Sequence, residues 1–266
     1  MIKKVTTRTI RGWKSGDHKI SVLTAYDATF AKLLDGAGVD IILVGDSAGN
    51  VISGYETTIP VTMDQMVTYI ANVKRGISRT FLVGDLPFGS YQSSIEQGVD
   101  NAVRLMKEGG AEAVKLEGGI RVAPLVEQLT DSGIPVMGHL GFTPQSVNQF
   151  GSYRTRATSE EAADKLLKDA KALEDAGAFA LVLEKIPANL AKVVTDTVGI
   201  PTIGIGAGVH CDGQVLVLYD MLGLYEDINP RFVRHYAELA GTVRDAVTKY
   251  IEDIQSGSFP SDEESY

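Results

Sequence analysis

Cysteine is nearly absent: Cys211 stands alone in 266 residues, so no intrachain disulfide can form. A reducing cytoplasm is the expected setting. Without a cysteine cluster, thiolate zinc chemistry drops out. Long apolar runs are also missing. No stretch approaches the roughly 18 residues of a membrane span, and the start Met1-Ile2-Lys3-Lys4-Val5 lacks the apolar core of a signal peptide. Nor is there a positive balance. Lys and Arg number 25 against 34 Asp and Glu, a formal net charge of −9. This argues against nucleic acid or an anionic membrane as the main partner, while a local field can still attract a small anion. No Gly-x-Gly-x-x-Gly opens a helix after the first strand-like run, which counts against a dinucleotide fold. No Gly-x-Ser-x-Gly elbow is present, which counts against acyl-transfer hydrolysis.

Six short apolar runs are present, each ending at a polar or glycine-rich segment. Ile41–Gly45 stops at Asp46-Ser47 and Phe81–Gly84 at Asp85. Ala113-Val114 leads into Lys115-Leu116-Glu117, and Pro135–Gly138 stops at His139. Ala180–Leu183 stops at Glu184, and Pro201–Gly204 runs into Ile205-Gly206-Ala207-Gly208. Continuous apolar runs suit parallel strands buried on both faces. The length is close to the roughly 250 residues of a (β/α)8 TIM barrel, in which the C-terminal strand ends converge on one mouth.

The rhythm of the chain agrees. Strands are expected at 20–24, 40–45, 80–84, 112–116, 134–138, 179–183, 201–205 and 215–219. Helices are expected at 28–37, 63–75, 94–108, 120–131, 159–177, 188–197 and 230–254. Asp27 and Thr62 read as N-caps. Alternating strands and helices imply parallel βαβ units, and eight of them favour closure over an open sheet. The reading is one barrel domain over 1–255 with an N-terminal arm. An acidic tail follows over 256–266, expected to lack structure unless a neighbouring subunit holds it. The Gly204–Gly208 segment suits either a tight turn or a phosphate site, with the turn preferred.

Asp46, Asp85 and Glu117 end neighbouring strands. Three converging carboxylates repel one another unless a cation sits among them, and hard oxygen ligands point to Mg²⁺. Any one of these Asp residues alone would equally suit a helix cap. Lys115 shares the strand face of Glu117 and can neutralise a substrate carboxylate or a developing enolate, or pair with Glu117 or Asp85. His139 suits a metal ligand, a hydrogen-bond donor or a buried core histidine. Glu184, across the mouth from the carboxylates, is the candidate general base. Lys185 beside it reads as a surface or interface charge.

Thr24-Ala25-Tyr26-Asp27, Leu43–Ser47, Gly84–Phe88, Val114–Gly119, Gly138–Ser146 and Ile203–Gly208 together resemble the ketopantoate hydroxymethyltransferase family, over nearly the whole chain. The His139–Ser146 run is the most specific of these segments. The resemblance implies a barrel of the phosphoenolpyruvate-mutase/isocitrate-lyase type. It also implies transfer of a hydroxymethyl group from 5,10-methylenetetrahydrofolate to 2-oxoisovalerate, the first step of pantothenate and coenzyme A synthesis. It implies that Asp46 and Asp85 bind Mg²⁺, with Glu117 holding it directly or through water. The keto acid would meet Asp46, Ser47, Asp85, Lys115 and His139, and Glu184 would be the proton acceptor. A homo-oligomer, commonly a decamer, is implied too. Two other readings compete: a phosphoenolpyruvate-mutase-like lyase acting on a 2-oxo acid, and a non-catalytic metabolite-binding barrel. The lyase would be expected to carry a reactive Cys in a mobile loop, and Cys211 is ill placed for that.

Overall fold

Helix starts are fixed by local chemistry. Asp27, Thr62, Ser94 and Ser159 sit in extended backbone and accept first-turn N–H bonds. Each satisfies a donor without a partner inside its helix, contributing about 1 kcal/mol. At Thr62 the bond is reciprocated by Gln65 in a capping box.

The computed structural model describes residues 3–14, 16–227 and 230–266. They fall into two compact units, 1–217 and 218–266. In chain order the first unit holds α1 (Thr7–Trp13), β1 (Ile20–Thr24), α2 (Ala28–Ala37), β2 (Ile41–Val44), α3 (Ala48–Val51) and α4 (Met63–Gly76). There follow β3 (Phe81–Asp85), α5 (Ile95–Lys107), β4 (Ala113–Glu117), α6 (Ala123–Asp131), β5 (Val136–Gly141) and α7 (Val147–Phe150). The unit ends with α8 (Glu160–Asp175), β6 (Ala180–Glu184), α9 (Ala188–Thr197), β7 (Thr202–Ile205) and β8 (Gly213–Leu216). All neighbouring strands are parallel, and β8 returns to β1 to close an eight-stranded barrel.

The barrel interior is filled by Val22, Ile41, Leu43, Phe81, Val83, Ala113, Met137, Val182, Ile203 and Val215. The N-terminal arm joins this core. Val5 and Ile10, both buried, belong to the same cluster, with Trp13 packed against it. The arm reads as polar because only one residue per helical turn is apolar and buried.

The eighth strand lies at 213–216 rather than 215–219. Gly213 pairs with Ile20, and a Cβ there would stand 2.4 Å from the Ile20 carbonyl oxygen. Glycine has low strand propensity and Gln214 stands before the apolar run, so local pattern points past this start. Of the Gly204–Gly208 segment, Gly204 and Ile205 end β7 and the chain turns only from Gly206: Gly206 and Gly208 have positive φ, and a Cβ on Gly208 would meet that of Ala188 at 2.4 Å.

The second unit holds α10 (Leu218–Met221) and α11 (Leu239–Ser256). The helix expected from 230 therefore begins at 239, after the Pro230 turn. Where the sequence suggests an unstructured tail, Ser261 and Glu264 form a capping box, and the Phe259 ring packs edge-on to Tyr250 at 5.5 Å.

Candidate active site

Strand parity builds the site. Asp85 follows the core residue Val83 by two positions, Lys115 and Glu117 follow Ala113 by two and four, His139 follows Met137, and Glu184 follows Val182. In a strand these residues share a face, so the side chains extend the core stack towards the C-terminal mouth. Asp46 and Ser47 lie just past β2. Asp46, Asp85, Lys115, Glu117 and His139 are all buried, and the Glu184 side chain retains 14% exposure.

The first cluster joins Asp46, Asp85 and Lys115. Lys115 Nζ donates to Asp85 Oδ1 at 2.6 Å, and the Asp46 backbone N–H donates to Asp85 Oδ2 at 3.3 Å. Of the two ion pairs open to Lys115 in the sequence, the fold selects the one with Asp85. Burial would lower the Lys115 pKa, but Asp85, Glu117 and Asp46 together raise it above its ordinary value. Asp46 is pushed well above the usual carboxylate range by burial and by the charges of Asp85 and Glu117.

The second cluster joins Glu117, His139 and Glu184. His139 Nδ1 lies 3.5 Å from Glu117 Oε1, and Nε2 lies 3.4 Å from Glu184 Oε2. Burial pulls the imidazole down, yet the flanking carboxylates outweigh it and push His139 up to about 9. These separations suit attraction between charges but are long for good hydrogen bonds. Glu117 Oε1 and both His139 nitrogens are buried without a hydrogen-bond partner.

Two residues with no role assigned from sequence tie the clusters together. Gln145 Nε2 donates to Asp46 Oδ2 at 3.0 Å, and the Gln145 backbone N–H donates to Glu117 Oε2 at 3.0 Å. Tyr91 Oη donates to Gln145 Oε1 at 2.8 Å and accepts from the Glu117 N–H at 3.0 Å. Gln145 lies within the most distinctive sequence run, but an amide carries no signature of its own. Tyr91 sits in a Ser- and Gln-rich loop that reads as surface. Ser47 Oγ is 2.9 Å from Tyr26 Oη, which places Ser47 beside Asp46 at the same mouth.

The rim after β5 is fixed to β6. Gly141 has φ 95°, and a Cβ there would stand 2.2 Å from the Glu184 carbonyl oxygen, so only glycine lets the strands approach. The Phe142 N–H donates to that carbonyl at 2.8 Å, and the Arg156 N–H donates to the Lys185 carbonyl at 2.8 Å. Lys185 is not a bare surface charge. It has φ 47°, its Nζ lies 5.3 Å from the Phe142 ring centroid, and it donates to the Tyr153 carbonyl. It fastens the 142–156 loop beside Glu184.

Among the described residues, no three His, Cys, Asp or Glu side chains are already gathered as a metal-holding group. Asp85 is turned to Lys115 and Asp46 to Gln145. The donor chemistry nevertheless fits a hard divalent cation. Burial and the charge of Glu117 raise the pKa of both Asp46 and Asp85, and Glu117 Oε1 is an orphaned acceptor.

The family model described as ketopantoate hydroxymethyltransferase matches residues 4–262. A protein of Prosthecochloris aestuarii named 3-methyl-2-oxobutanoate hydroxymethyltransferase is 57% identical, over 98% of this chain and 96% of its own. Among solved structures, 2,3-dimethylmalate lyase, of the PEP mutase/isocitrate lyase superfamily, superposes with TM-score 0.61 at 15% identity, covering 96% of this chain and 89% of that one. Phosphonopyruvate hydrolase in complex with oxalate and Mg²⁺ gives 0.62 at 11% identity, covering 98% and 93%. Those two likenesses show the fold.

Proposed function

From the premise that the chain belongs to the ketopantoate hydroxymethyltransferase family, we propose that it uses 5,10-methylenetetrahydrofolate to hydroxymethylate 3-methyl-2-oxobutanoate, the first step towards pantothenate and coenzyme A. The observation that carries this reading is the double cluster at one mouth: carboxylates with Lys115 on one side, and Glu184 linked through His139 on the other. Asp46 and Asp85, with Glu117 directly or through water, would hold Mg²⁺. Bound there, the ion would supply a Lewis acid that stabilises negative charge on the keto oxygen.

The chain's own residues do the rest. Lys115, buried and cationic, attracts the substrate carboxylate and opposes charge developing on the keto oxygen. Ser47 adds a hydroxyl beside Asp46. Glu184 takes the C3 proton, and the polarised His139–Glu117 pair holds Glu184 in place. Water replaces both folate nitrogens on the one-carbon unit, returning a proton to each and leaving the carbon at the oxidation level of formaldehyde. The substrate carbanion adds to that carbon, and Glu184 gives its proton to the new alkoxide. Proton removal beside a carbonyl asks for one base and one electrophilic stabiliser, and the two clusters divide those tasks.

The reading includes a homo-oligomer, with a decamer the form the family resemblance favours. It also includes a cytoplasmic setting, supported by the single buried Cys211. No helix among the described residues is long and apolar enough to cross a membrane.

The test is exchange of the C3 proton of 3-methyl-2-oxobutanoate in D₂O, followed by ketopantoate formation when the folate donor is added. Both should vanish on exhaustive chelation and return with Mg²⁺. Full turnover after chelation refutes the metal role, and exchange without product on adding the donor refutes the folate role.

A further inference from the structure

Hydroxymethyl transfer joins two molecules, and the keto acid is too small for the space beside Glu117. A cavity of about 680 Å³ opens there, walled by β4's end, the start of α6, the loop before α5 and the Gln145 turn. Cavities of about 300–1,000 Å³ take drug-sized ligands, whereas a five-carbon acid would leave most of this one to water.

Resting on the reading above, we propose that this cavity seats the one-carbon donor, its flat heterocycle against Phe88 and Ile120 and its anionic tail towards Arg121. Three observations converge. The cavity shares Glu117 and Gln145 with the catalytic clusters. Glu117 in turn lies 3.5 Å from His139, which lies 3.4 Å from Glu184, so the cavity borders the pair that holds the proposed base.

The walls are apolar where they face open space. Phe88, Ile95 and Ile120 are left 46%, 40% and 58% exposed, and all three line the cavity. Large apolar side chains grouped at a concave site mark a surface that a ligand covers, and an aromatic face with aliphatic neighbours favours a flat ring.

The polar lining suits the rest of such a molecule. Gln149 offers an amide that both donates and accepts, as the edge of a pterin requires, while the Gln92 amide is bonded to Gly89, Tyr91 and Gln145 and shapes the wall. The two cations of the lining differ. Lys165 is ion-paired with Asp169, whereas Arg121 makes no ion pair with another described residue. In a chain of net charge −9, an uncommitted guanidinium on a cavity rim is suited to the carboxylates of a glutamate tail.

Calorimetric titration of the Mg²⁺-loaded enzyme with tetrahydrofolate, in the presence of the keto acid, tests this. Arg121→Ala should weaken binding about 10–100-fold, the range for a lost charge-assisted hydrogen bond. Its affinity for a tail-less tetrahydropterin should match that of the unmodified protein. Ile120→Trp should weaken both ligands by filling the cavity. The keto-acid dissociation constant, measured separately, should be the same in all three proteins, which also reports that each is folded. Equal tetrahydrofolate affinity in all three overturns the cavity assignment and leaves the proposed activity standing. Absence of saturable tetrahydrofolate binding to the unmodified protein overturns both.

Discussion

Glu184 stands two positions after Val182, and that parity turns its carboxylate into the barrel, within 3.4 Å of His139. If it accepts the C3 proton, Glu184→Gln should lower kcat by about 10²–10⁴, the usual contribution of a positioned base. Keto-acid affinity should stay near that of the unmodified protein. A variant that keeps full C3 exchange and loses only affinity would make Glu184 a binding residue. Gln145 supports a different expectation. It bonds both Asp46 and Glu117, so Gln145→Ala should weaken Mg²⁺ binding or activity by about 10–100-fold, as removal of groups behind metal ligands does. Raised Mg²⁺ should recover part of the rate. Metal affinity equal to that of the unmodified protein would show that Gln145 does not set the carboxylates. At this scale the strand-end acids were legible because each closes an apolar run, and strand periodicity puts Lys115 and Glu117 on one face. Gln145 and Tyr91 were not, since their importance lies in partners brought from elsewhere in the chain.

Elements depend on one another through a few polar ties. Asp35, in the last turn of α2, accepts the backbone N–H groups of Ser78, Arg79 and Thr80 at 2.7–3.0 Å, joining α2 to the approach to β3. Burial raises its pKa, but these donors overcome that and hold it far below the usual carboxylate range. A folded-state pKa below the unfolded value contributes stability above the unfolded pKa of about 3.9, lost as pH falls through and below it. Asp35→Ala should therefore cost about 1–3 kcal/mol at pH 7, the range for stranding hydrogen-bond donors. The gap to the unmodified protein should narrow as pH falls below about 4. Urea unfolding at both pH values measures it, and a pH-independent gap would refute the charge argument. Element types read well from sequence wherever a cap or a period marked them, as at Asp27 and Thr62. Gly213-Gln214 and the core role of Ile10 in α1 did not, because they come from Ile20 and from the barrel interior.

At the scale of the whole molecule, α11 buries no residue, and its apolar side chains gather on one face. Val243, Val247, Tyr250, Ile251 and Ile254 recur at helical spacing and are 47–54% exposed. Such a stripe on a single chain supports the proposed homo-oligomer. Light scattering at micromolar concentration should return a multimer, and Val247→Glu with Ile251→Glu should shift it towards smaller species. A monomer of the unmodified protein would refute the proposal. The sequence by itself determined the alternation of strands and helices, the eightfold rhythm, and the carboxylates, lysine and histidine at the strand ends. These follow from periodicity and caps that act over a few residues. Only the tertiary structure decided the pairings: Lys115 with Asp85, His139 between Glu117 and Glu184, and Gln145 on Asp46 from 99 positions away. Closure of the barrel brings those groups together, and no local pattern records which of several charged neighbours a buried side chain will meet.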